Sequence, residues 1–116
     1  MVPDCIFCKI ASGQIRAEYV YEDDWVVAFK DLHPIAPVHV LIVPKTHLDS
    51  LNQAAPANEA ILGRLLAAGR QVAEKTGVAA GGYRIIINNN RDAGQEIFHL
   101  HLHLLGGRGL GPMLAR

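Results

Sequence analysis

The sequence predicts an α+β fold: a five-stranded antiparallel sheet with one long helix packed on it and a short N-terminal helix. Three observations predict it. Five β-prone runs are separated by turn-rich joins, only one segment holds helical periodicity over several turns, and after the short helix the order is β-β-β-α-β-β. Hairpin-length joins between neighbouring runs favour antiparallel pairing. The 116 residues suit one domain spanning 1–116.

Each element has a local reason. Cys5 to Ile10 reads as a short helix stopped by Ser12-Gly13. Glu18–Glu22 and Trp25–Lys30 are β-prone and joined by Asp23-Asp24, a hairpin signal. Leu32 to Pro37 contains two prolines and reads as a loop. Val38 to Val43 is apolar and β-branched, and Pro44 closes it as a buried strand. Ile61, Leu62, Leu65, Leu66, Val72 and Ala73 fall at helical spacing, with Pro56 near the start and Gly77 just past the end. Tyr83 to Asn88 is a fourth strand, followed by a polar turn through Asn90 and Gly94. His99 to Leu105 is the fifth, ended by Gly106-Gly107.

Bulk composition excludes several classes of function. Hydrophobic residues make up 50% of the chain, enough for a real core. Lys+Arg and Asp+Glu both number 11, so no basic excess marks a nucleic-acid polymer as partner. A small phosphate-bearing ligand stays compatible. Met1-Val2-Pro3-Asp4-Cys5 lacks the basic and apolar regions of a signal peptide, and no apolar run approaches the roughly 20 residues of a membrane span. A cytoplasmic protein without membrane attachment is expected. Two cysteines make no disulfide framework.

The strongest chemical signal is His99-Leu-His-Leu-His-Leu-Leu105. Side chains alternate along a strand, so His99, His101 and His103 share one face. Phe98, Leu100, Leu102 and Leu104 share the other, predicted to face the core. The run admits a chance polar face, a three-histidine metal site or nucleophilic catalysis. A neutral imidazole is a good nucleophile near pH 7, and a neighbouring histidine can protonate a leaving group. Asn88, Asn89 and Asn90 precede the run, Gln95 and Glu96 adjoin it, and Gly106-Gly107-Arg108 follows. Amides and backbone N–H groups beside imidazoles suit an oxyanion of phosphorus and favour the third reading. Cys5-x-x-Cys8 is ambiguous between zinc, redox chemistry and two plain thiols, although no β-α-β context supports a redox motif.

The histidine run followed by Gly106-Gly107-Arg108 resembles the signature of the histidine-triad superfamily, in particular its Hint branch. The likeness extends over nearly the whole chain. It includes Cys5-Ile-Phe-Cys-Lys-Ile10, Phe29-Lys-Asp31, Ala36-Pro-Val-His39, Val43-Pro-Lys-Thr-His47 and Gly94-Gln95. The resemblance implies a hydrolase or nucleotidyl transferase acting on purine nucleoside 5′-monophosphate derivatives, with phosphoramidates and acyl-adenylates as substrates. His101 is then the nucleophile, forming a covalent nucleotidyl-histidine. His103 sits on the phosphate and leaving-group side, and His39 and His99 complete the catalytic group. Ile6, Phe7, Ile10, Phe29 and Leu32 match the apolar walls around the base. Asp31 matches the acid that bonds the ribose hydroxyls, Asn88 the ribose–phosphate region, and Gln95 a residue close to the phosphate. For the apolar residues plain core packing is the alternative, and for Asp31 turn capping.

One position departs from the pattern. Glu96 stands where some Hint proteins carry Ser beside the phosphate, so its carboxylate is expected to point elsewhere and leave its backbone N–H to the ligand. The Cys-x-x-Cys branch also implies a structural zinc on Cys5, Cys8, His47 and His99, with no organic cofactor. The resemblance further implies a homodimer joined through the long helix and the strand beside it. A tail at Leu110-Gly-Pro-Met-Leu114 would then reach the partner's pocket. A non-catalytic nucleotide-binding adaptor is the alternative function.

Overall fold

The structure is a computed structural model that describes residue 2 and residues 4–115. It contains β1 (Tyr19–Glu22), β2 (Val26–Lys30), β3 (Val38–Pro44), β4 (Tyr83–Ile86) and β5 (Leu102–Gly106), with α1 (Ile6–Ala11) and α2 (Glu59–Lys75). The strands form one sheet in the order β1-β2-β3-β5-β4, and every pair is antiparallel. The fold class is as the sequence predicts.

The sheet has a core on each face. Toward α2, Val26, Ala28, Val40, Ile42, Leu102 and Leu104 meet Leu65, Ala68, Val72 and Ala73. Toward α1, Val27, Phe29, Leu41 and Val43 meet Phe7 and Ile10. Period-2 alternation along β2 and β3 divides their apolar side chains between these layers. Ile10 is therefore core. On α2 the buried stripe is Leu65, Ala68, Gly69, Val72 and Ala73, the i, i+3, i+4, i+7, i+8 pattern of one helix face. Leu66, predicted on that face, is exposed, because it sits about 100° around the helix from Leu65. Pro56 lies in a separate 3₁₀ turn, Pro56–Asn58, ahead of α2.

The last strand begins later than predicted, and the reason locates the site. The β3–β5 ladder runs from Val38↔Gly106 to Ile42↔Leu102. Continuing the register would bring Leu100 opposite Pro44, which has no N–H for the Leu100 carbonyl and whose own carbonyl takes the His99 Nε2 proton. The Leu100 N–H turns instead to the carbonyl of Leu48, at 2.6 Å. His99 to His101 thus leave the sheet, and β4 ends at Ile86, opposite His103, rather than at Asn88. Phe98, predicted to face the core, is 49% exposed because it lies beyond the point where the chain peels away. Leu100, Leu102 and Leu104 keep the predicted core side.

Candidate functional site

His99, His101 and His103 lie on the α1 side of the sheet, joined by His39 from β3 and His47 from the segment after it. The hydrogen-bond partners of these rings divide them into two groups.

The first group comprises Cys5, Cys8, His47 and His99, whose ligating atoms all lie within 4.8 Å of one another. Cys5 Sγ is 3.2 Å and Cys8 Sγ 3.5 Å from His99 Nδ1. Cys8 Sγ is 3.3 Å from His47 Nδ1, and the two Nδ1 atoms are 3.1 Å apart. The other nitrogen of each ring already has an acceptor. His99 Nε2 donates to the Pro44 carbonyl and His47 Nε2 to Asp49 Oδ1, both at 2.8 Å. With the proton on Nε2, each Nδ1 presents a lone pair, and two lone pairs face each other across 3.1 Å. A cation between them relieves that repulsion. Tetrahedral zinc, with Zn–N about 2.0–2.1 Å and Zn–S about 2.3 Å, sets ligand-to-ligand edges of about 3.3–3.8 Å. The four residues therefore fit a zinc ion, for which Asp49 and Pro44 would be the outer acceptors that orient its imidazoles. Burial of His99, only partly offset by its hydrogen bond to the Pro44 carbonyl, pushes its pKa down to about 4 and keeps it neutral.

The second group is His39, His101 and His103, with Asp31 beside it. The Ile35 N–H donates to His39 Nδ1 at 3.2 Å, so His39 carries its proton on Nε2. That Nε2 lies 2.9 Å from His103 Nδ1 and 3.5 Å from Asp31 Oδ2. His103 Nδ1 is then the acceptor, and His103 holds its proton on Nε2. His101 Nδ1–H donates to the backbone carbonyl of His99 at 2.7 Å, which leaves a lone pair on His101 Nε2. Nε2 makes no hydrogen bond among the described residues, where no enclosed side-chain nitrogen or oxygen lacks a partner. It is therefore open to a ligand. Burial lowers the pKa of all three rings, with His103 pushed down to about 4. All three are neutral near pH 7.

Asp31, His39 and His103 also lie close enough to suggest a metal site. The tautomers argue against one. Freeing His39 Nε2 for a metal would move its proton to Nδ1, directly against the Ile35 N–H. This group is a hydrogen-bond chain.

The remaining sequence-predicted residues are distributed unevenly. Phe7 is buried edge-on to His101, with centroids 5.1 Å apart and planes at 82°, and edge-on to Phe29 at 5.5 Å. Phe7 thus packs against the imidazoles, with Phe29 behind it. Ile6 is half-exposed and Leu32 is 88% exposed, so Leu32 has no core role. Asp31 Oδ1 accepts the His33 N–H at 2.8 Å, so the acid caps its turn while Oδ2 faces His39. His33 is exposed. Asn88 is half-buried beyond the end of β4. The Gln95 side chain is consumed locally. Its Oε1 accepts the Asn90 N–H at 2.7 Å, and its Nε2 donates to the carbonyls of Asp49 at 2.7 Å and Ile97 at 3.0 Å. Exposed Glu96 lines a cavity of about 380 Å³ that also touches Cys5 and His47, with Ile6, Asp49 and Phe98. Sequence reasoning missed Asp49 and the Ile35 N–H. The spacing His47-x-Asp49, two residues within one turn, was the available sign of the first.

Residues 12–110 match the family model described as the HIT domain. The chain belongs to the HIT domain family. It is 47% identical over 115 residues to the purine nucleoside phosphoramidase of Escherichia coli (strain K12), covering 99% of this chain and 97% of that one. A HIT family hydrolase from Clostridium thermocellum superposes with a TM-score of 0.95 at 44% identity, covering 99% of this chain and all of the other. A histidine triad protein from Clostridium difficile gives the same TM-score and identity, with 98% and 99% covered. This HIT protein is a histidine-triad hydrolase. Among the described residues, no helix is long and apolar enough to cross a membrane.

Proposed function

We propose that this HIT protein hydrolyses purine nucleoside 5′-monophosphate derivatives, phosphoramidates above all and acyl-adenylates as well, through a covalent nucleotidyl-histidine on His101. One observation carries the reading. The His99 carbonyl takes the His101 Nδ1 proton and leaves Nε2 as an unoccupied lone pair on a neutral ring. That is the state a nucleophile needs.

In the first step His101 Nε2 attacks the α-phosphorus. The phosphorus–nitrogen bond breaks, and its electron pair leaves on the amine, which takes up a proton. His103 Nε2–H is the neighbouring donor for the phosphate and the departing group. His39 sets that tautomer by donating to His103 Nδ1. In the second step water attacks phosphorus, releasing the nucleoside monophosphate and restoring the imidazole. Asp31 and Leu32 stand at the ribose and base side, and Asn88 at the ribose–phosphate side. The Gln95 geometry supports an indirect part, holding the Asn90–Gly94 turn rather than touching phosphate. Glu96, exposed on the cavity rim, leaves its backbone N–H for the ligand.

Zinc on Cys5, Cys8, His47 and His99 is the structural metal in this reading. Bound there, it supplies cross-linking of α1 to the sheet. Two free cysteines used as ligands suit the cytoplasm. A homodimer through β4 and α2 is supported by the open edge of β4 and by exposed Leu66 and Tyr83. Sedimentation at twice the 12.6 kDa chain mass is its check.

The decisive measurement is turnover of adenosine 5′-phosphoramidate by wild-type protein and His101→Ala, with mass spectrometry of the quenched reaction. Turnover and a nucleotidyl adduct on wild type, both lost in His101→Ala, are expected. Undiminished turnover by the variant would refute the nucleophile. Binding without turnover or adduct in wild type would leave an adaptor.

A further inference from the structure

We propose that the Cys5–Cys8–His47–His99 cluster is the positioning device of the nucleophile: a metal held there fixes the His99 carbonyl and Phe7 against the His101 ring. The proposal rests on His101 being the nucleophile and adds what aims it.

His99 is where the two groups of side chains join. It is fully buried, and three of its polar atoms are committed. Nδ1 faces the sulfurs of Cys5 and Cys8, Nε2 donates to the Pro44 carbonyl, and its own carbonyl accepts the His101 Nδ1–H. The next peptide is pinned as well, through Leu100 N–H to Leu48 O. A ring held at both nitrogens cannot rotate without dragging its backbone. Its carbonyl direction is therefore tied to where its Nδ1 sits. With the metal gone, the Nδ1 atoms of His47 and His99, 3.1 Å apart, are driven apart. The carbonyl that orients His101 moves with them.

A second link runs through α1. This helix has six residues, too few to stand alone in water. Cys5 is its N-cap, and its thiol accepts the Cys8 N–H at 3.3 Å. Phe7 lies between these two ligands in the sequence. Its ring lies 6.0 Å from His99 and 5.1 Å from His101, edge-on to both. Anchoring Cys5 and Cys8 thereby seats Phe7 against the nucleophile. One link sets the His101 tautomer by hydrogen bond, and the other restricts the ring by packing.

Loss of such outer support typically costs 10–100-fold in activity, and small misplacements act on the chemical step. The test variant is His47→Ala, because His47 bonds neither His101 nor Phe7. Zinc content, kcat and KM for adenosine 5′-phosphoramidate, and the ¹H–¹⁵N NMR signal of His101 Nδ1–H are measured together. We expect zinc to be lost and kcat to fall about tenfold or more, with KM changed less than about twofold. The Nδ1–H signal should lose its protection from solvent exchange. Wild-type protein stripped by chelator should behave likewise and recover with Zn²⁺ alone. Phe7→Leu, which keeps all four ligands, should bind zinc fully yet lose kcat. A folded, zinc-free protein with wild-type kcat and a protected Nδ1–H would overturn the proposal. If His47→Ala does not fold, Phe7→Leu decides, and full kcat with full zinc would overturn it. Failure of the nucleophile reading shows separately, as turnover by His101→Ala, because the Nδ1–H signal reports the coupling without any turnover.

Discussion

Single residues here perform tasks that their type alone does not announce. Gln95 was legible as a polar residue beside the histidine run, and likeness to the family suggested phosphate contact. Its surroundings assign it to the loop. Both hydrogen-bonding ends of a buried amide are satisfied by backbone from three places, Asn90, Asp49 and Ile97. Removing it leaves an N–H and two carbonyls without their partner; exposed Asn90 can turn to water, whereas a group that water cannot reach costs about 1–3 kcal/mol. Gln95→Ala should therefore destabilise the fold by about 2–3 kcal/mol, a fall in Tm of about 10 °C for a domain of this size. Thermal denaturation followed by circular dichroism checks it. A phosphate ligand of the ordinary kind would instead raise KM and leave Tm alone. The tautomers of His39, His101 and His103 were not legible at all. They depend on an N–H and a carbonyl of Ile35 and His99, and backbone groups carry no sequence signal.

At the scale of elements, the sequence disclosed what repeats and hid what stops. The alternation of β2 and β3 and the stripe on α2 follow from side-chain period alone. The late start of β5 does not, because it depends on Pro44 of another strand, which has no N–H and whose carbonyl is taken by His99 Nε2. The same peeling lets His99 reach the cysteines while His103 stays on the ladder opposite Leu41. The far end of β5 is equally specific. Gly107 has φ +95°, and a Cβ there would stand 2.8 Å from Pro37 Cβ. Pro37 belongs to the loop that carries Asp31 and Leu32 and leads into β3. Gly107→Ala is expected to cost about 1–3 kcal/mol through backbone strain and to push that loop outward. Both effects are measurable, as a lower Tm and a raised KM for the nucleotide substrate. Gly109→Ala is the control. Nothing lies within 4 Å of its Cβ position, so Tm and KM should stay at wild-type values.

For the whole molecule, the buried imidazoles make stability depend on pH with a definite sign. Folding moves the pKa of His39 and His101 below the ordinary histidine value and that of His103 to about 4, in each case chiefly through burial. The unfolded chain keeps its histidines near about 6.5. Between these values the unfolded state binds more protons than the folded one, so stability falls as pH falls. The contribution is complete above about pH 6.5 and is lost progressively as pH drops toward 4. Tm should accordingly decline by several degrees from pH 7 to pH 5. Replacing one of the rings with a group that does not titrate, as in His103→Gln, should flatten that slope while leaving Cys5, Cys8, His47 and His99 in place. A Tm that is level or rises on acidification would mean that the imidazoles accept protons within the fold. The neutral triad would then be lost together with the lone pair that the proposed chemistry needs on His101 Nε2.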